Sequence, residues 1–173
     1  MKKQNFKIAI AQSNIDWIGR KVSGSHNGTI SIKEGTFTAT DGKLTGGVFV
    51  IDTTSIQISD ITDPATNAQF AGHLASDDFF ASAQFPEASF EITAVNGNHI
   101  DGNLSIKGIS KPASFEANVQ ISGDTLTAAG LIVIDRTKYG IKFRSGNFFL
   151  NLGDTLIYND FDLNVNITAS ATA

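Results

Sequence analysis

Cysteine is absent from this chain of 173 residues, so it carries no disulfide framework, no thiolate metal site and no cysteine nucleophile. That absence leaves the redox compartment open. Positive charge is scarce as well: 13 Lys and Arg against 17 Asp and Glu give a net charge of -4 and an isoelectric point near 5.2. Affinity for phosphate backbones comes largely from clustered Lys and Arg, so no nucleic-acid partner is expected. No polybasic cluster is present, and no stable membrane anchor is expected either. After Lys2 and Lys3 the apolar run Ile8-Ala9-Ile10-Ala11 is shorter than the roughly 7–15 residues of a secretory core segment. As written the chain reads as soluble and without an export signal. That suits the cytoplasm, or the periplasm for a form whose leader has been removed. A Gly-x-Ser-x-Gly elbow, a phosphate loop and a dinucleotide fingerprint are all missing, so neither an enzyme nor a cofactor is expected.

What the chain does contain is period-two alternation. Phe115, Ala117, Val119 and Ile121 alternate with Ser114, Glu116, Asn118 and Gln120, which gives a strand one dry and one wet face. The pattern recurs at Ile100, Gly102, Leu104 and Ile106, at Phe90, Ile92 and Ala94, and at Phe161, Leu163, Val165 and Ile167. Glu34-Gly35, Asp41-Gly42, Asn96-Gly97-Asn98 and Gly123-Asp124 supply residues that tolerate positive φ, and so mark hairpin turns between antiparallel strands. Val48-Phe49-Val50-Ile51 is apolar on both faces, which calls for an outer cover.

One segment breaks the pattern. Asp63-Pro64 starts a helix, with Asp63 as its N-cap and Ala68, Ala71, Leu74 and Ala75 on one face. It is the natural cover for that strand. An acidic turn at Asp77-Asp78 and the pair Phe79-Phe80 follow, a candidate lid or plug. Without linkers or repeats, residues 1–173 read as one domain of roughly eight to ten strands and one helix: an all-β, closed or flattened antiparallel barrel. A barrel of about eight strands has an interior just wide enough for side chains or one small ligand. Phenylalanine, at 13 against two Tyr and one Trp, supplies apolar area with few polar handles. Those rings either fill a solid core or line a pocket.

Several stretches resemble the YceI-like family. They include Gly24-Ser25-His26-Asn27-Gly28, Gly46-Gly47-Val48-Phe49-Val50-Ile51-Asp52, His73-Leu74-Ala75-Ser76-Asp77-Asp78-Phe79-Phe80 and Phe85-Pro86-Glu87-Ala88-Ser89-Phe90. Downstream, the run from Gly102 to Pro112 and Ile134-Asp135-Arg136-Thr137-Lys138-Tyr139-Gly140-Ile141 complete the set in order. The resemblance implies a lipocalin-like extended antiparallel β-barrel of about eight strands with one short helix, and non-catalytic binding or carriage of an isoprenoid lipid such as a polyprenyl phosphate or a quinone. Candidate tunnel contacts are Trp17, Phe37, Phe79, Phe80, Phe90, Leu104, Ile106, Phe143, Phe161 and Leu163.

Lys138, Lys142 and Arg144 share one face of an expected strand, with Tyr139, Ile141 and Phe143 opposite. Together with Arg136 they form a basic stripe suited to an anionic headgroup, or simply a solvated face. Asp135-Arg136 reads first as a structural pair. His26, His73 and His99 lack the spacing of a zinc site, and no metal is expected. Asp52 and Asp135 end apolar strands, which fits turn-capping carboxylates; a hydrolase built on them, or a scaffold with a packed core, is the alternative to a lipid carrier. Edge strands can pair between chains, which leaves room for a homodimer.

Overall fold

The computed structural model describes residues 2–22, 24–143, 145 and 157–172. Among these described residues nine strands form: β1 (Lys3–Ile8), β2 (Asn14–Lys21), β3 (Gly24–Thr40), β4 (Lys43–Ile58), β5 (Glu87–Asn96), β6 (His99–Ile106), β7 (Ile109–Ser122), β8 (Thr125–Asp135) and β9 (Ile157–Ala171). One helix, α1 (Pro64–Leu74), lies between β4 and β5. The pairing runs β3-β2-β9-β8-β7-β6-β5-β4 and returns to β3, so the antiparallel sheet closes on itself.

Nine strands make eight staves because β1 and β2 share a position. β1 lies between Thr36–Thr40 of β3 and Ala169–Ala171 of β9, and β2 continues the same line beside Gly24–Ile30 and Ile157–Asn166. A 3-10 turn at Ile10–Gln12 interrupts them. Ser13 ties this break to the wall: its hydroxyl donates to the Ala9 carbonyl and accepts from the Thr168 amide.

The alternating runs face as their period requires. Ile100, Gly102, Leu104 and Ile106 all point inward and are buried, as are Leu163, Val165 and Ile167. Asp41-Gly42, Gly97 and Gly123 take positive φ in hairpin turns. Lys107-Gly108 does the same between β6 and β7.

Three expectations need correcting. Glu34-Gly35 is no turn, because β3 runs straight through it over 17 residues. The register instead slips between Ile32 and Glu34, and the glycine lets Ile8 pack close: a Cβ on Gly35 would lie 2.3 Å from Ile8 Cδ1. The helix does not cover Val48, which stays exposed; α1 lies at the far end of β4, where Asn67 Nδ2 donates to the Ile58 and Ile61 carbonyls. Its inner face carries Phe70, Ala71 and Leu74, while Ala68 and Ala75 are exposed, because the bulky Phe70 sets the buried side. Asp63 does cap the helix, accepting from the Thr66 amide at 2.9 Å.

Packing divides the barrel across its length. Toward the end that carries the Asp41-Gly42, Gly97 and Gly123 turns the interior is solid: Phe6 opposes Phe37, Phe49 opposes Phe90, and Leu126 and Ala169 are fully buried. The rings of Phe49 and Phe115 stand 5.6 and 5.4 Å from that of Phe90. The opposite end, under α1, is hollow.

Candidate functional site

The hollow end holds a cavity of about 560 Å³. Its walls come from seven of the strands: Trp17 and Gly19 from β2, Ile30 from β3, Ile51 and Ile56 from β4, Ala88 from β5, Leu104 and Ile106 from β6, Ile134 from β8, and Phe161 and Leu163 from β9. Phe70 and Leu74 of α1, with Phe79, Phe80, Ile141 and Phe143, add to the apolar lining. A volume between roughly 300 and 1,000 Å³, lined mainly by apolar and aromatic side chains, is typical of a pocket for one small ligand.

Local chemistry places the rings. Trp17 is half-buried and anchored by its Nε1–H, which donates to the Thr29 carbonyl at 3.2 Å. Gly28 leaves room for it, since a Cβ there would lie 2.7 Å from Trp17 Cζ2 and 1.7 Å from the Gln57 carbonyl oxygen. Beyond α1 the chain folds into successive turns, with the amides of Phe79 and Phe80 donating to the Ser76 and Leu74 carbonyls. Ser82 and Thr53, both buried, lock this segment to β4 and the stretch before β5: the Ser82 hydroxyl donates to Thr53 O, and that of Thr53 to Phe85 O. Phe79 and Phe143 meet the ring of His73 edge-on at 5.0 and 4.8 Å, and Phe80 meets Phe161 at 6.2 Å. The Phe79-Phe80 pair is therefore wall.

Of the ten candidate tunnel contacts, Trp17, Phe79, Phe80, Leu104, Ile106, Phe143, Phe161 and Leu163 line the cavity. Phe37 and Phe90 do not; they belong to the solid end, and only their distance along the barrel distinguishes them. Ile56, Phe70, Ile134 and Ile141 also line it, although the sequence reading had not singled them out. The inward period of β8 carries the signal for Ile134, whereas Ile56 is out of phase with Ile51 and Thr53 because the β3–β4 register shifts between Asp52 and Gln57.

The basic stripe is not a strand face. Arg136–Tyr139 form a 3-10 helix closed by Gly140 in the left-handed conformation, with Asp135 as its N-cap accepting from the Thr137 amide and hydroxyl. Arg136 is buried and lines the cavity, while Lys138 and Lys142 are exposed and Arg144 lies outside the described residues. No ion pair joins Asp135 to Arg136. Instead the guanidinium donates at 3.0 Å to the carbonyls of Ile141, Ile157 and Tyr158, and burial draws its pKa down, with nearby Asp135 opposing.

The histidines are paired one by one: His26 with Asp60 at 2.8 Å, His73 with Asp78 at 3.0 Å, and His99 with Asp101 and Glu116. Burial pushes the Asp60 carboxyl up, but the Asn27 amide and His26 outweigh it and hold the group below the usual carboxylate range. Among the described residues no three His, Asp or Glu side chains converge to hold a metal ion. Asp52 accepts from the Thr54 amide and hydroxyl, and neither it nor Asp135 lines the cavity. No described helix is long and apolar enough to cross a membrane.

This half-hollow barrel has known counterparts, since the model of the YceI-like domain matches residues 6–169. The chain belongs to the YceI-like family. A UPF0312 protein of Staphylococcus aureus is 36% identical to this YceI-like chain over a 97-residue match that covers 51% of this chain and 54% of that protein. Protein YceI of Salmonella arizonae is 32% identical over 101 residues, covering 56% and 50%. The match thus spans about half the length of these curated relatives. Among solved structures, a polyisoprenoid binding domain from Saccharophagus degradans implicated in plant cell wall breakdown superposes with a TM-score of 0.73 at 14% identity, covering 96% of this chain and 98% of that one. That likeness shows the same fold, the closed antiparallel barrel expected from the resemblance.

Proposed function

We propose that this YceI-like barrel binds an isoprenoid chain in the cavity without transforming it. The observation that carries the reading is an apolar chamber of about 560 Å³ inside a closed sheet, walled by Trp17 and five phenylalanines. At the ~30 Å³ that a water-sized group occupies in a liquid, that volume takes about nineteen carbons, or about four isoprene units. Transfer of that many methylene-sized groups from water is worth about 15 kcal/mol at ~0.8 kcal/mol each, before the cost of ordering the chain is subtracted. Micromolar binding needs about 8 kcal/mol, so the chamber has driving force to spare. The polyisoprenoid binding domain that shares this fold supports the isoprenoid class.

The non-catalytic reading rests on how the acidic groups are used. Asp52, which lies within β4 and not at its expected end, accepts from the Thr54 amide and hydroxyl, Asp135 accepts from those of Thr137, and neither carboxylate that a hydrolase would draw on lines the chamber. Solvent extraction of the purified protein followed by mass spectrometry tests the proposal. A stoichiometric isoprenoid, or saturable uptake of added geranylgeraniol, is expected. A blank extract together with no uptake refutes it.

A further inference from the structure

The charges on the cavity wall run against those of the whole protein. The net charge is -4, yet the fully charged lining residues are Arg20, Lys21 and Arg136, with Asp160 the one carboxylate among the described lining. Arg20 is neutralised by Asp162 at 2.8 Å. Arg136 is not neutralised in this way. It is only 4% exposed, and all three of its acceptors are neutral carbonyls.

A guanidinium offers five N–H donors, and three are used. Burying a charge away from water is unfavourable unless an opposite charge accompanies it. The neighbouring carboxylate that could have done so, Asp135, caps the 3-10 helix instead. The arrangement therefore holds a positive fork rigidly by its backbone partners, beside an apolar chamber, with two donors left over. Such a fork matches the oxygens of a phosphate or a carboxylate.

We propose that Arg136 receives an oxyanion head on the ligand, so that the protein selects acidic amphiphiles over neutral ones of the same chain. The proposal rests on the cavity being a lipid site and adds which head it reads: a prenyl phosphate or a carboxylate is preferred to a prenyl alcohol or a quinone. The neutral heads leave the Arg136 charge uncompensated. The anionic ones complete it.

Trp17 is the sole tryptophan and lines the cavity, so its fluorescence reports occupancy directly. The full chain, delipidated, is titrated with geranylgeranyl phosphate, geranylgeraniol and a branched fatty acid of matching length. The phosphate is expected to bind roughly tenfold or more tighter than the alcohol, the scale of one charge-assisted hydrogen bond. A fatty acid that matches the phosphate shows that head charge alone is read; one that matches the alcohol identifies phosphate as the head. In Arg136→Met the preference for the phosphate over the alcohol should vanish. Because that variant also loses three backbone contacts, the unmutated protein is decisive by itself. Equal affinity for phosphate and alcohol overturns the proposal and leaves Arg136 a structural clamp. Failure of all three ligands to bind overturns the lipid reading as well.

Discussion

Phe80 and Phe90 lie ten residues apart, on opposite sides of the boundary between the hollow and the solid halves, and truncating each to alanine tests that division. Phe90 is 1% exposed and touches the rings of Phe49 and Phe115. The backbone of Gly102 supports it so closely that an added Cβ would lie 2.4 Å from its Cζ. Strands held in register on both sides cannot collapse into the space left behind, so Phe90→Ala should cost about 3–5 kcal/mol. For a chain of this size that lowers the melting temperature by roughly 6–20 °C. Phe80 is half-buried, edge-on to Phe161, and faces a chamber that already exists. Truncation there enlarges the chamber without creating a new one, and about 1–2 kcal/mol of transfer energy is the expected loss. Urea unfolding with an unchanged m-value measures both. Titration with geranylgeraniol supplies the other half of the comparison: Phe80→Ala should weaken binding roughly five- to thirtyfold, and Phe90→Ala, where still folded, should leave it alone. Equal destabilisation by the two substitutions, or equal loss of binding, would refute a barrel that is solid at one end and hollow at the other.

Filling the chamber should separate binding from folding: Ala88→Trp adds a ring into open space, and is expected to abolish isoprenoid uptake at a stability cost of about 1 kcal/mol, read by Trp-independent circular dichroism. Gly102→Ala would set a Cβ 2.5 Å from the Glu91 carbonyl oxygen, which cannot yield, so a loss of about 1–3 kcal/mol is expected; Gly46→Ala, with nothing within 4 Å, should be neutral in the same urea titration. His99 should titrate above the ordinary histidine value of 6.5 in an NMR pH series, because the Glu116 carboxylate and, behind it, Asp101 favour its charged form. The stabilisation this brings is fully present below the unfolded-state pKa and fades as pH rises through the raised one. Glu116→Gln should move the titration back down, and an unshifted His99 would contradict the pairing.

Alternation made the barrel legible, because a strand with one wet and one dry face fixes which side chains point inward without knowledge of its partners. It could not say how far along the barrel each inward residue sits. Phe37 and Phe161 obey the same period, yet one meets Phe6 in the solid end and the other faces the chamber. That distinction is set by register and closure, which are long-range. The stripe from Arg136 to Arg144 misled for a different reason: alternating charge reads as a strand, whereas the Asp135 cap and the left-handed Gly140 turn the chain into a 3-10 helix. That change of element carried Arg136 from an expected surface face into the wall of the cavity. The helix boundary was clear from Asp63-Pro64, but its buried face was not, since Phe70 outweighed the alanines.

The composite stave has a consequence for how the chain can be made. β9, the last strand of the sheet, is the neighbour of both β1 and β2, the first two, so the seam of the barrel joins strands made before the rest of the sheet to the strand made after it. Until residues 157–171 leave the ribosome, β2 and β8 both present a full row of unsatisfied amides and carbonyls to the cell. A nascent chain halted before that point is an open, curved sheet with two adhesive borders, and premature termination late in the message should yield aggregates and not a smaller barrel.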